Sequence, residues 1–259
     1  IFVFFRINIM QFVSGVPKGV YVGQTRIAHE ASITTQHASL HGFNLALHVG
    51  DDPLRVQHHR IALLNQLHGF GVNQMTWLNQ THSVLCHRVD AQATLCAQEG
   101  DALVTSSQGH ALMMMTADCL PVVLGNQVGS EVANLHAGWK GLANGIIENT
   151  IATMYTQPTW AWLGAAISQP CFEVGAEVKA AFCNKYPTLD NAFVAAKQAD
   201  KFYADLYAIA RYILQQHGVT QIFGGDQCTY AQNEDYFSYR REAKTGRMAS
   251  FVFIQPQDH

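Results

Sequence analysis

Apolar positions along the chain fall into short runs of strand length, punctuated by a few longer stretches with helical spacing. VPKG at 16–19 marks a turn, and YVGQTRI beyond it reads as a strand. FNLALHVGDDP (43–53) leads into LRVQHHRIALLNQLH. There Asp51 or Asp52 caps a helix with Pro53 at its first position, and Gly69 ends it. Val56, Leu63, Leu64 and Leu67 form one stripe on that helix, with Arg60 nearer its edge. MTWLNQTHSVLCHRV (75–89) reads as strand, break, strand, and DALVTSS as a further strand. HALMMMTADCLPVVLGNQ reads as one long buried strand interrupted at residues 117–119.

The second half continues in the same style. EVANLHAGWKGLANGIIENTIATMY gives a strand ending at His136, a glycine-rich turn and a helix. WAWLGAAIS is a strand, and GAEVKAAFCNKY and YADLYAIARYILQQHGV are helices, the second closed by Gly218. FSYRREAKTGRMASFVFI reads as a terminal hairpin turning at Thr245–Gly246. Strands outnumber helices and do not alternate with them, which predicts an α+β fold of mixed or antiparallel sheets covered by helices. The expected division is residues 1–20 as an N-terminal extension and first strand starting at Met10, then one domain over 21–259. The first nine residues stand outside the functional argument.

Composition narrows the function. With 48 % apolar and 14 % charged residues in 259, the chain can bury a full core. A net charge of −3 offers no basic field for duplex DNA or an anionic membrane, although a nucleotide-sized ligand stays open. The apolar start is too short to span a bilayer and lacks a signal-cleavage pattern, so the expectation is a cytoplasmic protein, monomeric or weakly homo-oligomeric. Six cysteines at 86, 96, 119, 171, 183 and 228 contain no C-x-x-C pair and read mostly as small buried hydrophobes.

Three residues stand out against that background. His82 in NQTHS, Cys119 in TADCLP and His136 in VANLH each end or interrupt a buried strand, where side chains are held rigidly. One thiolate and two imidazoles suit zinc, with copper as competitor, and three protein ligands leave a position for water or substrate. Spacings of 37 and 17 residues match no short zinc motif, so a satisfied histidine beside an inert cysteine competes with this reading. Asp118 and Pro121 disrupt the strand where pure core would continue it, and a buried Asp needs a partner or a wet cavity. In HAGWKGLANG (136–145) three glycines let backbone approach a ligand, and a helix start beside Lys140 could hold an anion. Of Arg240, Arg241 and Arg247, at most one is expected to reach the site. The same residues also suit a cysteine hydrolase, with Cys119 as nucleophile, His136 as base and His82 or Asn134 orienting.

NLALHVGDDP, NQTH, DALVT, TADCLPVVL, NLHAGWKGL, FEVGAEV, DLYAIAR and SYRREAKTGRMASF resemble, in the same order, the motifs of the YfiH-like laccase-domain family. Its members are called polyphenol oxidases or purine nucleoside phosphorylases. The similarity runs from about Tyr21 to Ile254, and TRIAHEASITT (25–35) stands where the family usually shows R-x-G-G-V-S. The resemblance implies a four-layer α/β/β/α fold and zinc at His82, Cys119 and His136. It also implies phosphorolysis of adenosine, inosine and methylthioadenosine, with adenosine deamination as a side activity; for that reaction Arg60 and Lys140 are candidates for phosphate, Asn44 for orienting substrate and Trp139 for stacking on a base. The older label in that family is a copper-dependent polyphenol oxidase.

Overall fold

The structure, a computed structural model, describes residues 9–28, 40–89 and 97–257. Most of TRIAHEASITT and the first eight residues therefore lie outside the described residues. In chain order the elements are β1 (Met10–Phe12), β2 (Val20–Thr25), α1 (Pro53–His68), β3 (Gln74–Thr76), β4 (Cys86–Arg88), β5 (Ala102–Thr105) and β6 (His110–Thr116). Then follow β7 (Leu120–Gly125), β8 (Val132–Ala137), α2 (Trp139–Asn144), α3 (Ile146–Thr153), β9 (Trp160–Leu163), β10 (Glu173–Gly175) and α4 (Ala176–Cys183). The chain closes with β11 (Phe193–Ala195), β12 (Lys201–Ala204), α5 (Leu206–Gln216), β13 (Gln221–Gly224) and β14 (Met248–Ile254).

Two mixed sheets carry the fold, a five-stranded one ordered β1-β2-β14-β6-β3 and a six-stranded one ordered β13-β9-β7-β8-β5-β4. Period-two alternation explains how they pack. In the first sheet Val22, Leu112, Met114 and Val252 face the second, where Leu103, Val123, Val132 and Trp162 meet them. The intervening residues point outward. Ala111, Met113, Phe251 and Phe253 meet Leu63 and Leu67 of α1. Val122, Leu124, Ala133 and Leu135 meet Ile146 and Ile147 of α3 and Ile209 and Ile213 of α5. Each sheet is thus apolar on both faces, and the result is the four-layer α/β/β/α arrangement with mixed sheets.

The helix limits follow the sequence signals. Asp52 caps α1 by accepting the Leu54 N–H, and Gly218 supplies the left-handed turn after α5 at φ +80°. Three expectations change. The run from His110 to Gly125 is two strands in different sheets, because the chain crosses between sheets at residues 117–119. The stretch after His136 forms a six-residue helix and then a second helix, split where Gly145 takes φ +100°. No terminal hairpin forms. Only β14 is a strand, paired with β2 and β6, because the preceding segment bonds to side chains instead. The Arg240 and Arg247 N–H groups donate to Asp118 and Asn44. A small third sheet, β10-β12-β11, has strands too short to show a period.

One buried amide ties the two main sheets. Asn134 of β8 donates through Nδ2 to the carbonyls of Leu112 (2.9 Å) and Ser250 (3.1 Å) across the interface, and Ser250 Oγ donates to its Oδ1 at 3.1 Å. It therefore serves the sheet interface and orients no reacting group. Replacing it with alanine leaves buried acceptors unpaired. Asn134→Ala is expected to lower unfolding stability by about 1–3 kcal/mol, with the m-value unchanged in urea titrations.

Candidate active site

Two of the crossings between the sheets meet at one end of the sandwich. Residues 77–85 pass from β3 in the first sheet to β4 in the second, and residues 117–119 pass from β6 to β7. His82 lies on the first crossing and Cys119 ends the second. His136 lies beside them on β8, in register with Pro121. Because 132, 134 and 136 share one face of β8, the His136 ring points between the sheets rather than toward the helices.

A single carboxylate organises this end. Asp101, wholly buried just before β5, accepts N–H bonds from Thr81 (3.2 Å), His82 (3.1 Å) and Ser83 (2.6 Å), and the Ser83 hydroxyl at 2.7 Å. It also accepts from His136 Nδ1 at 2.8 Å. Burial alone would raise this carboxyl, but the His136 and Ser83 donors outweigh it and hold it down at about 2. With Nδ1 so engaged, His136 offers Nε2 to a ligand. His82 occupies left-handed backbone at φ +59°, and Gln80 fixes the same loop through paired bonds with Met115 N–H and carbonyl, both 2.8 Å.

His82 Nε2 lies 3.8 Å from Cys119 Sγ, and the His82 and His136 ring centres are 4.8 Å apart. All three donor atoms fall within 4.8 Å of one another. Zinc–nitrogen bonds of about 2.0–2.1 Å and a zinc–sulfur bond of about 2.3 Å put nitrogen and sulfur about 3.6 Å apart in a tetrahedron, so the donors fit such an ion. Gly138 makes the cluster possible. A Cβ there would lie 3.0 Å from Cys119 Sγ and 3.1 Å from His82 Cδ2. Burial pushes the Cys119 thiol up, yet His136 and His82 offset this and hold it at about 6. Burial likewise depresses His136, but Cys119 and Asp101 raise it to about 9. Each group thus pushes the other toward its charged form, the Cys119 thiol toward thiolate and His136 toward imidazolium.

The cluster opens into a cavity of about 430 Å³, within the usual span of about 300–1,000 Å³ for small-molecule sites. Trp139, Phe172 and Tyr239 supply aromatic surface, and Lys140, Arg240 and Arg247 supply positive charge. Two of the three C-terminal arginines thus line the cavity, one more than expected. Arg241 instead ties its own loop by donating to the carbonyls of Thr229, Tyr230 and Tyr236. Asp118 lines the cavity but turns its carboxylate to the Thr229 hydroxyl (2.6 Å) and the Arg240 N–H (2.7 Å). It braces the arginine loop and holds no ligand of the cluster.

Among the candidates for substrate, Lys140 and Trp139 line the cavity, and Asn44 and Arg60 do not. Asn44 is wholly buried, donating to Asp51 Oδ2 at 2.7 Å and accepting N–H bonds from Ala46 and Arg247. Arg60 lies over the Trp77 ring at 4.3 Å and donates to the Leu45 carbonyl at 2.9 Å, its guanidinium lowered to about 10 by burial. Both stand behind the cavity wall. Lys140 sits in a helix of only six residues, so an anion there would meet side chains rather than an extended helix terminus. Sequence reasoning assigned no role to Asp101 or His48. Asp101 was findable by the signal that singled out Asp118, an acid directly against a buried apolar strand.

Comparison with known proteins fits this geometry. The family model for the multi-copper polyphenol oxidoreductase laccase matches residues 29–255. The purine nucleoside phosphorylase YfiH of Escherichia coli is 42 % identical over 213 residues, 82 % of this chain and 86 % of that one. The adenosine deaminase RL5 of an unknown prokaryotic organism is 36 % identical over 215 residues, 77 % and 82 % of the two chains. The crystal structure of Neisseria meningitidis protein NMB0706 superposes with a TM-score of 0.86 at 38 % identity, covering 96 % of this chain and all of that one.

Two outcomes follow from the site. In metal-free protein, iodoacetamide should label Cys119 with a pH midpoint near 6, read on its peptide by mass spectrometry, and His136→Ala should move that midpoint upward. Asp101→Asn removes the charge that orients His136 and gathers residues 81–83. Affinity for cobalt(II) or zinc should fall about 10–100-fold in chelator-competition titrations.

Proposed function

The chain belongs to the multi-copper polyphenol oxidoreductase laccase family, and from that premise we propose that it is a zinc-dependent purine nucleoside phosphorylase. Its substrates would be adenosine, inosine and methylthioadenosine together with inorganic phosphate, with deamination of adenosine as a side activity. The observation that carries this reading is the pairing, in one cavity, of aromatic planes and three cations with a three-donor cluster. Phosphorolysis needs these elements together: a surface for the purine, positive charge for the phosphate nucleophile, and a group that accommodates charge on the departing base.

In this reading Arg240, Arg247 and Lys140 draw phosphate into the cavity of a chain whose net charge is −3. Trp139, Phe172 and Tyr239 exclude water and stack against the base. His48, at the mouth, is held below the usual histidine range by burial, then by Arg247 and Arg60. As a neutral imidazole it can hydrogen-bond to the leaving purine. Asn44 and Arg60 act from behind the wall, Asn44 by fixing the backbone of Arg247. His82, Cys119 and His136 would hold the zinc, which when bound supplies Lewis-acid polarisation to the reacting ligand. Copper suits the same donors. Among the described residues, however, this is the one group of three such ligands, too few for a multicopper oxidase.

The lowered Cys119 thiol beside the raised His136 imidazole supports a second reading, a metal-free cysteine hydrolase. One experiment separates the two. Metal content is measured on purified protein, which is then incubated with adenosine with and without phosphate, before and after chelation. The expected products are adenine and ribose 1-phosphate, formed only with phosphate and lost on chelation. Cys119→Ala should lose metal and turnover together, and Arg240→Ala should raise the KM for phosphate about tenfold or more, the loss of one charged hydrogen bond. Adenosine left intact, or turnover that survives chelation, refutes the proposal.

A further inference from the structure

A second cavity, of about 340 Å³, lies between the β1–β2 edge of the first sheet and the β9–β13 edge of the second. Gln24, Trp162, Phe223, Gly224 and Asp226 are among the residues that line it. Its volume suits a small molecule. No Lys, Arg or His lines it, in contrast with the first cavity, and its one charged side chain is the carboxylate of Asp226. An anion such as phosphate is therefore a poor occupant.

Two N–H donors among the lining residues lack an acceptor. Gln24 is only 5 % exposed, and its Oε1 accepts the Ala165 N–H at 2.8 Å. That bond fixes which way the amide lies and leaves Nε2 as the donor end. Among the described residues Nε2 has no hydrogen-bond partner. Trp162 is 8 % exposed, and its indole N–H likewise donates to no described residue, whereas Trp160 Nε1 donates to the Asn126 carbonyl at 2.9 Å. Gly224, at φ +68°, keeps that indole edge clear, since a Cβ there would stand 2.9 Å from Trp162 Nε1. Buried donors left unpaired are costly, so an occupant that brings two acceptors gains from both. The carboxylate of Asp226 accepts only, so the same occupant must also carry a donor.

We propose that this cavity binds a 6-oxopurine base such as hypoxanthine or guanine. One edge of such a base carries two neighbouring acceptors, O6 and N7, and its N1–H is a donor. The acceptors take the N–H groups of Gln24 and Trp162, N1–H is directed to Asp226, and the flat ring lies against Phe223. Adenine presents an amino donor where the oxopurine has O6, which sets donor against donor. The wall of this cavity continues from Ala165 to Ile167, which lines the first cavity and donates its N–H to the Asp118 carbonyl at 2.9 Å. The site nevertheless stands whether or not the first cavity performs phosphorolysis.

The test uses the full chain labelled with 5-fluorotryptophan, whose four tryptophans give four fluorine resonances. Trp162→Phe identifies the resonance of the second cavity, and Trp139→Phe that of the first. Hypoxanthine should shift the Trp162 resonance saturably, with a dissociation constant of about 1 mM or tighter. Asp226→Ala, a change at an exposed position, should weaken that binding about tenfold through loss of one charged hydrogen bond. Adenine should bind about tenfold more weakly than hypoxanthine. A Trp162 resonance that hypoxanthine leaves unmoved, an Asp226→Ala protein that binds it equally well, or adenine bound as tightly overturns the proposal. Because Trp139 is followed separately, a purine entering the first cavity alone refutes this site without touching the reading of the first, and the converse holds equally.

Discussion

A buried negative charge must be paired, and in this protein the pairing of Asp101 assembles the site. Its two oxygens accept from three consecutive backbone N–H groups, a serine hydroxyl and the His136 ring. A carboxylate without these donors would be costly in a position with no solvent exposure. The same bonds bring a loop from one sheet and a strand of the other to a common point. His82 and His136 therefore converge because each depends on the same acid, although 54 positions separate them in sequence.

The second sheet crossing brings in the sulfur. Cys119 follows Asp118, whose backbone is left-handed at φ +91°, a conformation costly for a residue with a side chain. The Thr229 and Arg240 bonds to its carboxylate help to hold that conformation. Strain at Asp118 and at His82 occurs where the chain leaves one sheet for the other, and two of the three donor atoms of the cluster are presented at those turns. Gly138 belongs to the same arrangement, since any Cβ there would press on both donors.

Around this centre the layers have separate tasks. The inter-sheet core, tied by Asn134, keeps the two crossings in register, while the helices cover the outer faces. The C-terminal segment before β14 trades regular pairing for bonds to Asp118 and Asn44, and in doing so carries Arg240 and Arg247 to the cavity. The positive charge of the cavity and the three-donor cluster thus come from different parts of the chain.

By itself the sequence determined whatever depends on local pattern. The helix over 53–68 with a cap at Asp51 or Asp52, the helix ended by Gly218, most short strands of the two sheets and the distinctness of His82, Cys119 and His136 were legible from period, capping chemistry and polar residues set in apolar runs. The motif order also pointed to the family. Only the tertiary structure decided that the run from His110 to Gly125 divides between sheets, because an apolar strand gives no sign of which sheet it joins. It also decided that Asp101 organises the cluster, that Asn44 and Arg60 stand behind the wall, and that two arginines of an expected hairpin line the cavity. Those assignments rest on contacts between residues often more than a hundred positions apart, as with Asp118 and Arg240. Such a pairing leaves no period or spacing for a single sequence to show.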